Sequence, residues 1–165
     1  MTPRAPAGPD SAVLAGIHQL YHRQSHLIDG GRAADWAATF TADATFDSPS
    51  YPAAVTGTAA LTAFAGEFAA TAAAAGVVRR HIVTNLVVES AGADTLRVLA
   101  YLQIVATPRG GTPHLERLTT LTDRVVRDGD VWRVASRRVR RDDTPEPDAD
   151  TPEPDAVAPA SGNDR

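Results

Sequence analysis

His81 stands in the run Arg79-Arg80-His81-Ile82-Val83-Thr84-Asn85, where strand alternation puts it on one face with Val83 and Asn85. An imidazole among apolar neighbours has two readings. It can take a proton alpha to a carbonyl or protonate a departing hydroxyl, or it can merely satisfy hydrogen bonds in a polar core. Asp29 falls toward the polar side of its helix, and an Asp before Gly30-Gly31 is ordinary helix-ending chemistry. Gln24 falls in the centre of an apolar helical stripe, where burying an amide is costly unless something bonds to it, and is read as a ligand-facing donor. Trp36, Phe46, Tyr51, Phe64, Phe68 and Tyr101 are candidates for an aromatic wall, and Asn85 for a polar group beside His81. His18, His22 and His26 recur every four residues, a spacing that can hold a divalent ion. They lie opposite the apolar stripe and no carboxylate completes a zinc-protease helix, so a solvated face is expected and no metal site is assigned.

The chain contains neither cysteine nor lysine; all sixteen basic residues are arginine. Thiol nucleophiles, thiolate metal sites, disulfides and Schiff-base chemistry are thereby excluded. With no glycine-rich phosphate loop or dinucleotide fingerprint, no cofactor is expected, and the chemistry left is acid–base. The net charge of -4 is misleading, because the segment from Asp142 carries eight acids against one arginine and leaves a mildly basic body. Arg137, Arg138, Arg140 and Arg141 cluster at the end of the last strand. Without an aromatic stacking platform they are read as a solvated strand end rather than a nucleic-acid surface. No apolar run approaches the length of a membrane span and the N-terminus lacks a secretory signal, so a cytoplasmic protein is expected.

The 165 residues suit one domain at 11–141, flanked by a disordered Pro/Gly-rich leader at 1–10 and an acidic Pro-rich tail at 142–165 with a tandem TPEPDA. Ser11 is the expected cap of a long helix in which Val13, Ile17, Leu20, Gln24 and Leu27 repeat at helical spacing. A short helix carrying Trp36 and Phe40, a strand at 43–47 and an Ala-rich helix at 58–75 follow. From Val78 the period changes to two, predicting strands near 78–90, 94–107, 115–127 and 131–140 in an antiparallel meander. Apolar residues on both faces, as in Ile82, Val83, Leu86, Val87 and Val88, predict a covered outer face, most economically in a homodimer.

Three helices before a bent sheet, with Trp36, Phe40, Asp43-Ala44-Thr45-Phe46 and Asp128-Gly129-Asp130-Val131-Trp132-Arg133-Val134 in that order, resemble the SnoaL-like group of the nuclear transport factor 2-like superfamily over about residues 11–141. The resemblance implies an α+β cone of three N-terminal helices on a strongly curved antiparallel sheet, holding an apolar or aromatic small molecule. The superfamily includes polyketide cyclases, scytalone dehydratase, ketosteroid isomerase and non-catalytic binding proteins or partner subunits. His81 is similar in position to a pocket histidine of scytalone dehydratase and Asp29 to its pocket carboxylate. The strand of Tyr101-Leu102-Gln103 offers no counterpart of the dehydratase's second histidine. Against ketosteroid isomerase, Ser48 stands where the base would be, Gln24 where the oxyanion-hole tyrosine would be, and Asp123 where the oxyanion-hole acid would be. Asp123 is thus either a pocket proton donor or the partner of an arginine on a neighbouring strand. The implied function is cofactor-independent acid–base chemistry, as dehydratase, isomerase or cyclase, on an aromatic or polyketide-like molecule. The Ala- and Arg-rich composition suits a high-GC bacterial coding sequence, where such proteins often serve natural-product pathways.

Overall fold

A computed structural model describes residues 8–143. Residues 1–7 of the expected leader and 144–165 of the expected acidic tail lie outside the described residues. Helix α1 (Ser11–Asp29) begins at Asp10, whose Oδ1 accepts from the Val13 N–H at 2.8 Å. The cap is therefore Asp10, and Ser11 is the first helical residue. Ile17, Tyr21, Gln24, Leu27 and Ile28 are the buried stripe of α1, and Gly31 at φ +69 supplies the left-handed turn that ends the run.

Helix α2 (Ala33–Ala37) carries Trp36 but not Phe40. Thr39 Oγ1 donates to the Trp36 carbonyl at 2.6 Å, the chain turns, and Phe40 opens strand β1 (Phe40–Asp47) opposite Val134. Pairing with a distant strand thus overrides the helical spacing of Trp36 and Phe40. Strand β2 (Val55–Thr56) is short and pairs with β1. Helix α3 (Thr58–Ala74) buries Leu61 and Ala65 against the core. Strands β3 (Val77–Ser90), β4 (Thr95–Pro108), β5 (His114–Asp128) and β6 (Val131–Arg141) form the expected meander.

The sheet order is β2-β1-β6-β5-β4-β3. β1 runs parallel to β6, so the sheet is mixed rather than wholly antiparallel: β1 reaches β6 across most of the chain, not through a hairpin. Register shifts fall between Thr84 and Val87 in β3, at Glu116 in β5 and at Ala135 in β6, each placing extra residues on one strand of a pair. Such bulges bend and twist a sheet. The six strands curve into an open cone whose inner face packs on the helices.

Two wall residues expected from the sequence are relocated by this geometry. In β4 the buried residues are Leu96, Val98, Ala100, Ile104 and Ala106, which fixes even numbers inward and leaves Tyr101 on the outer face, 53% exposed. Asn85 sits in the β3 bulge at φ +55 and is exposed. The bulge moves the inward phase from His81 and Val83 to Leu86 and Val88, which pack on the core. Asn85 therefore does not share the face of His81.

Candidate active site

Between the concave sheet face and the helices lies a cavity with room for the centres of water molecules over about 70 Å³. At about 10–15 Å³ for each water, it holds a handful of them. Trp36, Phe46, Phe64, Phe68 and Tyr51 form one aromatic side, and Val83, Leu102, Ile104, Leu121 and Val139 line it from the sheet. The aromatic rings touch in sequence, Trp36 on Phe64 at 5.7 Å, Phe64 on Phe46 at 4.8 Å and Tyr51 on Phe64 at 5.1 Å. Such tilted and edge contacts stiffen a wall beyond the gain from area burial. Tyr51 lies at the rim, partly exposed. Burial pushes its phenol up from 10.0, with Arg117 pulling in the opposite sense.

His81 and Asp29, 52 residues apart in the chain, meet at this wall. Asp29 Oδ1 lies 2.6 Å from His81 Nδ1, and the same carboxylate accepts from the His81 backbone N–H at 3.2 and 3.0 Å. Both side chains are nearly buried, at 11% and 10% exposure. The carboxylate accepts, so Nδ1 carries the proton in this pair and Nε2 keeps its lone pair. His81 lines the cavity with its ring 5.2 Å from that of Phe68. Among the described residues no buried side-chain polar atom lacks a partner, and Nε2, which has none, is therefore open to the cavity. Asp29 itself stands behind His81 rather than in the lining.

Behind the other side of the cavity is a buried polar network. Asp123, 1% exposed, lies directly opposite Arg137, 8% exposed, on the neighbouring strand. Arg137 Nη2 donates to Asp123 Oδ2 at 2.7 Å and to Gln24 Oε1 at 2.8 Å, and its Nε donates to both oxygens of Asp123 at 3.0 Å. Tyr21 Oη donates to Asp123 Oδ2, and Gln24 Nε2 to Thr39 Oγ1 at 2.7 Å. Asp123 is thus partnered by arginine on β6, the second of its two readings. Gln24 reaches the lining, but its amide is engaged by Thr39 and Arg137, which is how the cost of burying it is met. Arg137, read as part of a solvated strand end, is instead buried under the Tyr21 and Phe40 rings, 5.4 Å from each. Burial would lower its affinity for the proton, yet the Asp123 carboxylate more than offsets this and raises it.

Tyr21 carries a pH consequence. Burial first, then the Asp123 charge, hold its phenol well above 10.0. Above pH 10.0 the unfolded chain releases a proton that the folded chain keeps, so this contribution is complete below that pH and is lost as pH rises toward the folded value. The expected loss is about 1.4 kcal/mol per pH unit in that window. Urea unfolding at stepped alkaline pH measures it. Tyr21→Phe should flatten that slope, and an unchanged slope in the variant would refute the assignment.

The remaining sequence candidates separate cleanly. Trp36, Phe46, Tyr51, Gln24 and His81 line the cavity; Asn85 and Tyr101 do not. Ser48 is buried in the wall and accepts from the Ser50 N–H at 3.4 Å, so no carboxylate stands at that position. His18, His22 and His26 are exposed, and among the described residues no trio of His, Cys, Asp or Glu is arranged to hold a metal ion. Sequence reasoning missed Arg117, Thr119 and Arg141 as cavity residues. Their period-two spacing in step with Leu121 and Val139 was the available signal.

A family model described as a SnoaL-like domain matches residues 10–138. Among solved structures the chain is similar to Aln2 from a Streptomyces species, at 31% identity, TM-score 0.75, over 83% of this chain and 96% of that one. It is similar to ActVI-ORFA from Streptomyces coelicolor at 25% identity, TM-score 0.75, over 83% and 100%. A protein from Catenulispora acidiphila in complex with S-DNPA is 27% identical, TM-score 0.71, over 81% and 96%. A comparison with curated proteins finds no match. No helix among the described residues is long and apolar enough to cross a membrane.

Proposed function

The chain belongs to the SnoaL-like domain family, and from that premise we propose that it is a cofactor-independent acid–base enzyme acting on an aromatic or polyketide-like small molecule, as dehydratase, isomerase or cyclase. The observation that carries this reading is the His81–Asp29 pair at 2.6 Å on the wall of an aromatic-lined cavity. Asp29 fixes the ring and its tautomer, leaving Nε2 as base. In a dehydration, Nε2 takes a proton alpha to a carbonyl and the carbon–hydrogen electron pair passes into an enolate. The imidazolium then returns that proton to the beta hydroxyl as its bond to carbon breaks. The carbon–carbon double bond forms and water leaves, with no oxidant needed. In an isomerisation the same proton returns to carbon instead. A ligand-bound relative from Catenulispora acidiphila supports small-molecule binding by this fold. A place in bacterial natural-product synthesis is part of the same proposal.

The test is an assay with aromatic beta-hydroxy ketones in the presence of chelator and without added cofactor, following new conjugation by absorbance and ligand entry by quenching of Trp36. Conversion that survives the chelator is expected. Saturable quenching without conversion across a panel of such ketones would instead favour a non-catalytic binding protein. That reading has one observation behind it: β4 presents only Leu102 and Ile104 to the cavity, so no second imidazole stands across from His81.

A homodimer through the outer sheet face is proposed as well. Ile82 and Leu118, both exposed, flank Gln103 in one cross-strand row, and Tyr101 stands in the adjacent row. Exposed large apolar side chains gathered on one sheet face favour association. Sedimentation equilibrium should give twice the chain mass, falling to the monomer in Tyr101→Glu; a wild-type monomer at high concentration would sink the idea.

A further inference from the structure

We propose that Arg117 receives a carboxylate of the molecule held in the cavity, so that the ligand is an aromatic acid whose anionic group lies two strand spacings from the atom facing His81. This rests on the small-molecule reading of the cavity given above. The placement follows from register. His81 is opposite Ile104 on β4, and Ile104 is opposite Arg117 on β5. All three are directly paired and line the cavity. With strands about 4.8 Å apart, the backbones holding the imidazole and the guanidinium are roughly 10 Å apart. That separation suits a two-ring molecule.

The bulge at Glu116 arranges the charges at this end. One extra residue in β5 lets Glu116 and Arg117 follow one another without strict alternation, and Glu116 is claimed by Arg79 through two bonds of 2.8 and 2.9 Å. The Arg79 guanidinium beside it holds the Glu116 carboxyl below its ordinary 4.5. Arg137 is likewise saturated by Asp123 and Gln24, and Arg141 is paired with Asp143. Arg117 differs from all of these. Among the described residues it makes no ion pair, and its one side-chain hydrogen bond is a long one of 3.4 Å to Ser50 Oγ.

A half-buried guanidinium beside Tyr51 and Ile104 has lost hydration, and although it acts through space on the Glu116 and Asp143 carboxylates, each of these is bonded to another arginine and neither contacts Arg117. Its planar fork matches a carboxylate, which would complete the pairing that the protein leaves open. Ser50 Oγ, already in contact with Arg117, is placed to donate to the same anion. The apolar aromatic wall between the two ends would hold the rings.

Isothermal titration of the full chain with 6-hydroxy-2-naphthoate and with its methyl ester tests this. The two differ in charge but hardly in shape. The acid should bind wild type at least about 10-fold more tightly than the ester. Arg117→Gln should weaken the acid by about 10- to 100-fold, the span of a charge-assisted hydrogen bond, while ester affinity changes by less than about twofold. Arg117→Lys should recover part of the preference, and thermal melting of each variant verifies folding. Equal binding of acid and ester to wild type would overturn the proposal while leaving the cavity reading intact, as would an equal loss for both ligands in Arg117→Gln. Failure of both ligands to bind at millimolar concentration would overturn both.

Discussion

His81→Ala is expected to slow conversion of an aromatic beta-hydroxy ketone by about 10²- to 10⁴-fold, the usual contribution of a positioned general acid–base group. The loss should appear in kcat with KM nearly unchanged, because the proton is transferred only on the way to the transition state. Folding should survive. Asp29 still accepts from the backbone N–H of residue 81, which the substitution retains. Asp29→Asn is the companion variant. An amide can present its N–H to Nδ1, driving the proton onto Nε2 and removing the base without removing the imidazole. Its kcat should fall as well, with little change in melting temperature. Wild-type turnover in His81→Ala would exclude the imidazole as the base, and severe unfolding in that variant would mark His81 as a structural residue.

The second large effect is on stability. Arg137→Ala removes the partner of a carboxylate that is 1% exposed and leaves Gln24 Oε1 without its donor. Breaking one member of a buried pair typically costs about 3–5 kcal/mol. For a domain of this size that is a fall of roughly 10 °C or more in Tm. Asp123→Ala should cost a similar amount, since it strands the guanidinium. The double variant Asp123→Leu with Arg137→Met should recover part of the loss, because it removes both charges together, while Tyr21 Oη and Gln24 Oε1 are left without their partners. Chemical denaturation of wild type, Asp123→Leu, Arg137→Met and the double variant measures the coupling. Strictly additive losses would show that the two side chains do not act as a unit. The cavity should feel the same change, since Arg137 and Gln24 both line it.

Much of this was written in local pattern. The apolar repeat of α1, the Ala-rich run of α3 and the period-two segments from Val78 announce their elements because each must bury one face, and periods of about 3.6 and 2 are the ones that do so. His81 was legible as an imidazole among apolar residues. Asp123 was legible as a buried acid or an ion-pair partner. Arg137 was not. Counting back from the turn at Asp128-Gly129 without a bulge sets Asp123 opposite Ser136, and only the extra residue at Ala135 brings Arg137 across from it.

The same kind of event decided the other departures. Asn85 left the face of His81 because β3 bulges after Thr84, and Glu116 broke the alternation that Arg117 keeps with Thr119 and Leu121 because β5 bulges there. Tyr101 faced outward because its neighbours Ala100 and Leu102 were the ones drawn to the core. The sequence by itself determined most of the elements and the family likeness, since those depend on residue type and local spacing. The tertiary structure alone decided which side chains meet. One inserted residue reverses the facing of the inserted stretch, and the contact of Asp29 with His81 spans 52 residues that no local period connects.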